Sequence, residues 1–376
     1  MEITKSINQH KGFSSLVNFF IKSFLYVIRV VNRTFAYKNG NVVIISLHRL
    51  GDTVFTIPAI REIKKYCNDK KIIIVCYPEV VPIYKLKFSD LTYCTIDHDK
   101  FYVHNRIASA LARKIFKSQN PKIIFDLTGV MTSATLIFNS RAKEIIGMNR
   151  EQFKTIYDFY SPIRKTPHLT DRYLDAVSVK IPNIIRDEIK NFPTVINREG
   201  KIIIHPFGGW KAKEWNLNKF INLALTLNND YEVCLISPEQ EISTDIIKSL
   251  SEEKINIIQT GSIDELIEEI QQCSVFIGND SGPLYIASLL GKPTFTIYGP
   301  TNFEFSKPLG EHHSYINKSI KCSPAKDEQY CFTVGGQSGC PAFQCMNLLK
   351  FEEVHNSIFP FIQKYCKTKA QVINKI

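Results

Sequence analysis

Three strand-like apolar runs in this chain end in polar residues with chemical potential. Asn41–Leu47 runs into His48-Arg49-Leu50-Gly51-Asp52-Thr53. A carboxylate at Asp52 could take a proton from an attacking hydroxyl, help typically worth about 10²–10⁴-fold in rate. The plainer role is a helix cap. Lys201–Ile204 leads into His205–Trp215, where Gly208 and Gly209 stand beside Lys211 and Lys213. Such a flexible cationic loop suits a diphosphate, or is a solvated turn around a packing tryptophan. Val275–Ile277 leads into Gly278-Asn279-Asp280-Ser281-Gly282. There Ser281 and Gly282 would open a helix, presenting free N–H groups and the positive dipole end to a phosphate. Gly282 permits close backbone approach, and Asp280 beside it could accept sugar hydroxyls. The spacing matches neither G-x-G-x-x-G nor the P-loop.

These residues must be positioned by alternating strands and helices. Strands are expected over Lys71–Tyr77, Lys122–Leu127, Tyr231–Ser237, Ile255–Thr260 and Thr294–Tyr298. Helices are expected from Thr56 as a cap (with Pro58 in the first turn), over Phe101–Lys117, over Leu284–Leu290 closed by Gly291 and Pro293, and over Phe351–Cys366. Short β-branched runs of this kind fit buried parallel strands. In an open parallel sheet, ligands bind outside the carboxyl ends of the strands. Turn residues thicken after Pro182 and Phe192-Pro193, which places a domain boundary near residue 190.

The 376 residues suffice for two domains with sizeable cores, and the formal charge of +11 suggests anionic neighbours. No RNP, homeodomain or zinc-finger pattern is present, so nucleic acid ranks last among them. Ten scattered cysteines without a secretion signal favour free thiols in a reducing, cytoplasmic compartment. Cys322, Cys331, Cys340 and Cys345 gather near Gly335-Gly336 and Pro341, but wide spacings and the lack of C-x-x-C leave metal out of the expectation. Asp97-His98-Asp99 is an isolated D-x-D and is set aside.

Between Phe13 and Phe35, Ser14, Asn18, Lys22, Tyr26, Arg29 and Arg33 form one polar stripe on a helix, with Phe19, Phe20, Phe24, Leu25, Ile28 and Val31 around the rest. A membrane span would have to bury charges costing roughly 2.5–3.5 kcal/mol each near the bilayer centre. Two readings remain: a helix lying in the headgroup region of anionic lipids, peripheral on the inner face of the inner membrane, or one docked on the protein's own surface.

The string R-L-G-D-T-V-x-T-x-P-A-I-R, the segment D-S-G-P with L-G-K-P and Y-G-P-T, and the K-E-W after Gly208-Gly209 together resemble glycosyltransferase family 9, the lipopolysaccharide heptosyltransferases. The resemblance covers about residues 41 to 365. It implies a GT-B architecture, an α/β fold of two doubly wound Rossmann-like domains facing across a cleft. Residues 1–40 would be the amphipathic helix, 41–190 the acceptor-side domain, 191–350 the nucleotide-sugar domain, and 351–376 a helix crossing back plus tail.

The resemblance makes Asp52 the catalytic base and Lys213 the catalytic lysine on the donor's phosphates, with Lys211 weaker. Gly208, Gly209, Asp280, Ser281 and Gly282 would bind donor, and Asp264 its ribose, although a Ser262/Glu265 capping pair explains that sequence equally. Arg49 and His48 would meet the acceptor, Arg49 through a phosphate unless it is simply solvated. Asp126, in Asp126-Leu127-Thr128-Gly129, is a secondary candidate base. Asn216 replaces the family's usual proline, and Tyr285 its usual histidine. The implied activity is inverting transfer of a sugar, heptose from ADP-heptose, to a membrane-associated saccharide acceptor, without a metal. The alternatives are a nucleotide-sugar epimerase or a non-catalytic nucleotide-sugar-binding protein of the same fold.

Overall fold

A computed structural model describes residues 2–68, 70–239, 241–331, 340 and 343–373. Gly335, Gly336 and Pro341 lie outside the described residues, and the side chains of Phe13 and Ser14 outside the described side chains. The chain divides into two compact units: residues 1–49, 55–164 and 170–186 form the first, and residues 50–54, 165–169 and 187–376 the second.

In the first unit, β1 (Asn41–Ile45), β2 (Ile72–Cys76), β3 (Thr92–Thr95), β6 (Pro121–Asp126), β7 (Glu144–Asn149) and β8 (Phe159–Pro162) form a sheet in the order β3-β2-β1-β6-β7-β8. Every pairing is parallel. Val42–Ile45 are buried on both faces, which is why the run does not alternate. The expected helix over Phe101–Lys117 is interrupted. A short hairpin of β4 (Tyr102–Val103) and β5 (Ile107–Ala108) precedes a helix Ala110–Ser118, started by Ser109 accepting the Ala112 N–H at 3.0 Å.

The N-terminal helix spans Glu2–Thr34 and docks on the first unit by its polar stripe. Lys22 pairs with Glu151, and Arg29 with Asp158. Arg29 also donates to the Ala142 carbonyl at 2.8 Å. The Phe19, Phe20 and Phe24 rings stay exposed.

The second unit repeats the wiring with β9 (Ile202–His205), β10 (Val233–Pro238), β11 (Asn256–Thr260), β12 (Val275–Asn279), β13 (Thr294–Tyr298) and β14 (His313–Asn317), in the order β11-β10-β9-β12-β13-β14. Both sheets reverse direction of growth beside their first strand, the arrangement that opens a binding crevice at strand ends. Between β12 and β13 the helix Gly282–Leu289 is ended by Gly291 at φ +76°, where a side chain would strike the Pro193 carbonyl. The C-terminal helix expected to cross between domains, Phe351–Tyr365, packs Val354, Ile358 and Ile362 into this unit's core.

Candidate functional site

Helix Leu50–Cys67 begins six residues before the expected cap at Thr56. Arg49 supplies the extended N-cap, and Thr56 is buried beside the Tyr84 hydroxyl at 3.1 Å. Asp52 therefore stands in the first helical turn, exposed, with no side-chain cap bond formed at Arg49. Contacts assign the turn Leu50–Val54 to the second unit. It rests on the helix start there. A methyl group added at Gly282 would lie 2.7 Å from Leu50 Cβ, and one at Gly51 would lie 3.1 Å from the Tyr285 ring. Asp52 is thus carried on a turn that abuts Gly282 and Tyr285.

Ser281 is the extended N-cap of helix Gly282–Leu289 and makes no cap bond with its side chain. Its buried Oγ finds no hydrogen-bond partner among the described residues. Pro283 follows Gly282 and has no N–H, so Ser281 and Gly282 carry the amides that a ligand could meet first.

Beside them Lys213 Nζ pairs with Asp280 Oδ2 at 2.6 Å, and the Tyr285 hydroxyl donates to Asp280 Oδ1. Asp280 is 3% exposed. Burial opposes its ionisation, but the Lys213 ammonium and the hydroxyls of Tyr285 and Thr301 outweigh it and hold the carboxyl below the usual range. Burial, and then the Asp280 charge, push the Tyr285 phenol well up, so it remains a donor. Trp210 and Tyr330 wall the lysine, its Nζ standing 4.7 and 5.6 Å from their ring centres. The ammonium is therefore fixed on three sides. The sequence marks Lys213, Asp280 and Tyr285 separately; that both the lysine and the tyrosine bind the one carboxylate is visible only in the fold.

Asn279, not singled out from the sequence, joins the two loops. Its side chain accepts the Trp215 N–H at 3.0 Å and donates to the Pro206 carbonyl at 2.7 Å. Trp215 is wholly buried and donates to the Leu349 carbonyl, so the loop's far end is anchored in the core. Asn216 caps the next helix by accepting the Asn218 N–H at 2.9 Å, which accounts for a residue other than proline there. Gly208 donates to Glu214 at 3.2 Å, Gly209 faces open space, and Lys211 is exposed and paired with Glu214.

A pocket of about 200 Å³ opens at the ends of β9, β10 and β11, lined among others by Leu50, His205, Gly261, Ser262 and Pro283. Burial lowers the His205 pKa to about 4, so its imidazole is neutral. Ser262 caps the following helix by accepting the Glu265 N–H at 3.2 Å, and Glu265 in turn accepts from the Gly261 N–H at 2.8 Å. Asp264 is exposed in that helix's first turn and is not part of the pocket wall.

In the first unit, His48 is half-buried, its Nε2 3.1 Å from the Leu127 carbonyl, and Arg49 is exposed. Asp126 is fully buried and saturated. It accepts from the Thr128 and Gly129 amides at 2.9 and 3.3 Å and from the Tyr157 hydroxyl at 2.6 Å. Those contacts fit a structural aspartate. Asp97 is exposed and pairs with Lys100. Cys322, Cys331, Cys340 and Cys345 line one small pocket with Gly299 and Pro300. Among the described residues no three His, Cys, Asp or Glu side chains stand together as a metal-holding set.

The sequence pattern of glycosyltransferase family 9 (heptosyltransferase) matches residues 109–333. A lipooligosaccharide heptosyltransferase 2 of Campylobacter jejuni is 26% identical over 324 residues, covering 81% of this chain and 93% of that protein. Among solved structures, a family 9 glycosyl transferase from Veillonella parvula superposes with a TM-score of 0.68 at 17% identity, covering 86% of this chain and 97% of its own. The E. coli ADP-heptose lps heptosyltransferase II gives 0.63 at 15% identity, over 86% and 99%. These likenesses extend to the whole GT-B fold.

Proposed function

The chain belongs to glycosyltransferase family 9, the heptosyltransferases, and from that premise we propose that it moves a heptose, with inversion, from ADP-heptose to a saccharide of the lipopolysaccharide type. The acceptor is membrane-associated, and the enzyme works from the cytoplasmic side. In the reaction Asp52 takes the proton of the acceptor hydroxyl as that oxygen bonds to the anomeric carbon. The bond from that carbon to the diphosphate breaks on the opposite face, and ADP leaves with the charge. The Ser281 and Gly282 amides, at a positive helix end, receive that charge. Lys213 serves the same phosphates while Asp280 and two aromatic rings hold it in place. Gly208 and Gly209 let the cationic loop approach the donor, the pocket around Ser262 takes the nucleoside with Asp264 at its margin, and Arg49 and His48 face the acceptor.

One observation carries this reading: the turn bearing Asp52 packs against Gly282 and Tyr285, at a helix N-terminus beside the half-buried, Asp280-paired Lys213. An ammonium and oriented amides supply what a divalent cation would supply, so no metal is required for the chemistry. The test is transfer of heptose from ADP-heptose to heptose-free lipopolysaccharide, followed by mass spectrometry in the presence of EDTA. The parent chain should turn over. Asp52→Asn should retain donor affinity and lose transfer by about 10²–10⁴-fold. Undiminished turnover in Asp52→Asn refutes its role as base. Donor consumed without acceptor would point to an epimerase, and donor bound but never consumed to a binding protein.

A further inference from the structure

We propose that the N-terminal helix holds the protein on an anionic bilayer by the face it turns away from the protein. The proposal is independent of which sugar is moved. Amphipathic helices of soluble proteins keep their large apolar side chains on the covered side. This one covers a mixed face, Ile21, Leu25 and Ile28 beside Lys22 and Arg29, and leaves a second apolar face outside. Asn18, Lys22, Leu25, Ile28, Arg29 and Asn32 lie on its inward arc and are buried or half-buried. Arg29 is 4% exposed, donates to two backbone carbonyls and pairs with Asp158. The centre of the polar stripe, Asn18, Lys22 and Arg29, is turned to the protein, while Tyr26 and Arg33 stay exposed at its edge. The outer face carries Phe19, Phe20, Phe24, Val27 and Val31, with Phe35 just past the helix end, the four phenylalanines each more than 60% exposed. At 100° per residue these positions cover roughly half the circumference of the helix. A patch this apolar on a soluble surface marks an interaction site.

Charge selects the occupant. From residue 3 to residue 51 the sequence has no Asp or Glu, while Lys5, Lys11, Lys22, Arg29, Arg33 and Lys38 fall between Ile3 and Gly40. The segments packed beside the helix add exposed Arg141, Lys143, Arg150 and Lys154. Against these stand Glu151, paired with Lys22, and Asp158, paired with Arg29 and Arg33. A second copy would bring an equally basic rim against this one, whereas anionic lipid headgroups would neutralise it. No helix among the described residues is long and apolar enough to cross a membrane, so the helix lies in the interface.

The test is co-sedimentation of the full chain with phosphatidylcholine vesicles with and without phosphatidylglycerol. Binding to the anionic vesicles, weakened by salt, is expected. The triple variant Phe19→Ser/Phe20→Ser/Phe24→Ser should lower the bound fraction by about tenfold or more, since each ring lost removes buried apolar area. Its ADP-heptose affinity and Tm, measured alongside, should stay close to those of the parent because the three rings are mostly exposed and belong to no core cluster, Phe19 and Phe20 pairing with each other. As a second probe, Phe24→Trp should shift its added emission to the blue and be quenched by brominated lipid. Absence of pelleting overturns the proposal. So does pelleting that the triple variant leaves unchanged, or a lipid-free dimer that the same substitutions dissolve.

Discussion

Asp126 and Asp280 occupy corresponding places in the two sheets. Asp126 ends β6, the strand beside β1, and Asp280 follows β12, the strand beside β9. Both carboxyls are almost wholly buried. Their neighbours differ. Asp126 is met by two amides and a phenol, all neutral, and burial leaves its pKa raised. Asp280 is met by the Lys213 ammonium and a phenol, and its pKa is lowered. The wiring is shared; a single cation separates an aspartate held only by neutral donors from one that is half of a charged pair beside a helix N-terminus. The difference comes from the loop after β9, which carries Lys213, and not from the sheets.

Removing the cation should erase the difference, and it is the largest effect expected. Lys213→Met should cut transfer by at least about 10²–10³-fold, the usual loss for an electrostatic stabiliser. It should also destabilise the fold by about 3–5 kcal/mol, because a buried charge loses its partner. The double variant Lys213→Met/Asp280→Asn should regain most of that stability in urea titration and none of the transfer. If the double variant also regains transfer, the ammonium has no part in the chemistry.

A smaller effect tests position rather than charge. In Gly282→Ala the new methyl meets Leu50 Cβ at 2.7 Å, so the turn that carries Asp52 must shift from the helix start. A displacement on the order of 1 Å at a reacting group can cost about 10²-fold in rate. Turnover should fall by up to that factor, with Lys213 and Asp280 still paired. Unaltered turnover would show that the Leu50 turn does not set the geometry.

The sequence announced these strand ends clearly, because each buried β-branched run stops at a cluster of glycine and polar residues. Asp52, Lys213, Asp280 and Ser281 could all be marked that way. The pairing was not readable. Lys213 and Asp280 pair directly because a bond between Trp215 and Asn279, 64 residues apart in sequence, brings their loops together, and Tyr330 reaches the lysine from a cysteine-rich stretch that offered no sign of it. The N-terminal helix makes the same point in another way. Periodicity gives its polar stripe but not which side is covered, since Glu151, 129 residues beyond Lys22, helps decide that. The start of helix Leu50–Cys67 is not legible in the sequence because its N-cap, Arg49, makes no side-chain cap bond.

The smallest effect divides the two aspartates by pH. An aspartate unfolded has a pKa of about 3.9. Asp280 lies lower in the folded protein, so its contribution is complete above about pH 3.9 and is lost as pH falls through the folded value. Asp126 lies higher when folded, so its contribution is complete below about pH 3.9 and is lost as pH rises through the folded value. The two should therefore bend the stability curve in opposite directions. In urea titrations from about pH 3 to about pH 7, Asp280→Asn should remove part of the fall on the acid side. Asp126→Asn should remove part of the decline toward neutrality, and should leave ADP-heptose affinity unchanged because its partners are Thr128, Gly129 and Tyr157. Parallel curves for the two variants would mean that Lys213 does not distinguish the sites, and the contrast drawn between the two sheets would fail with it.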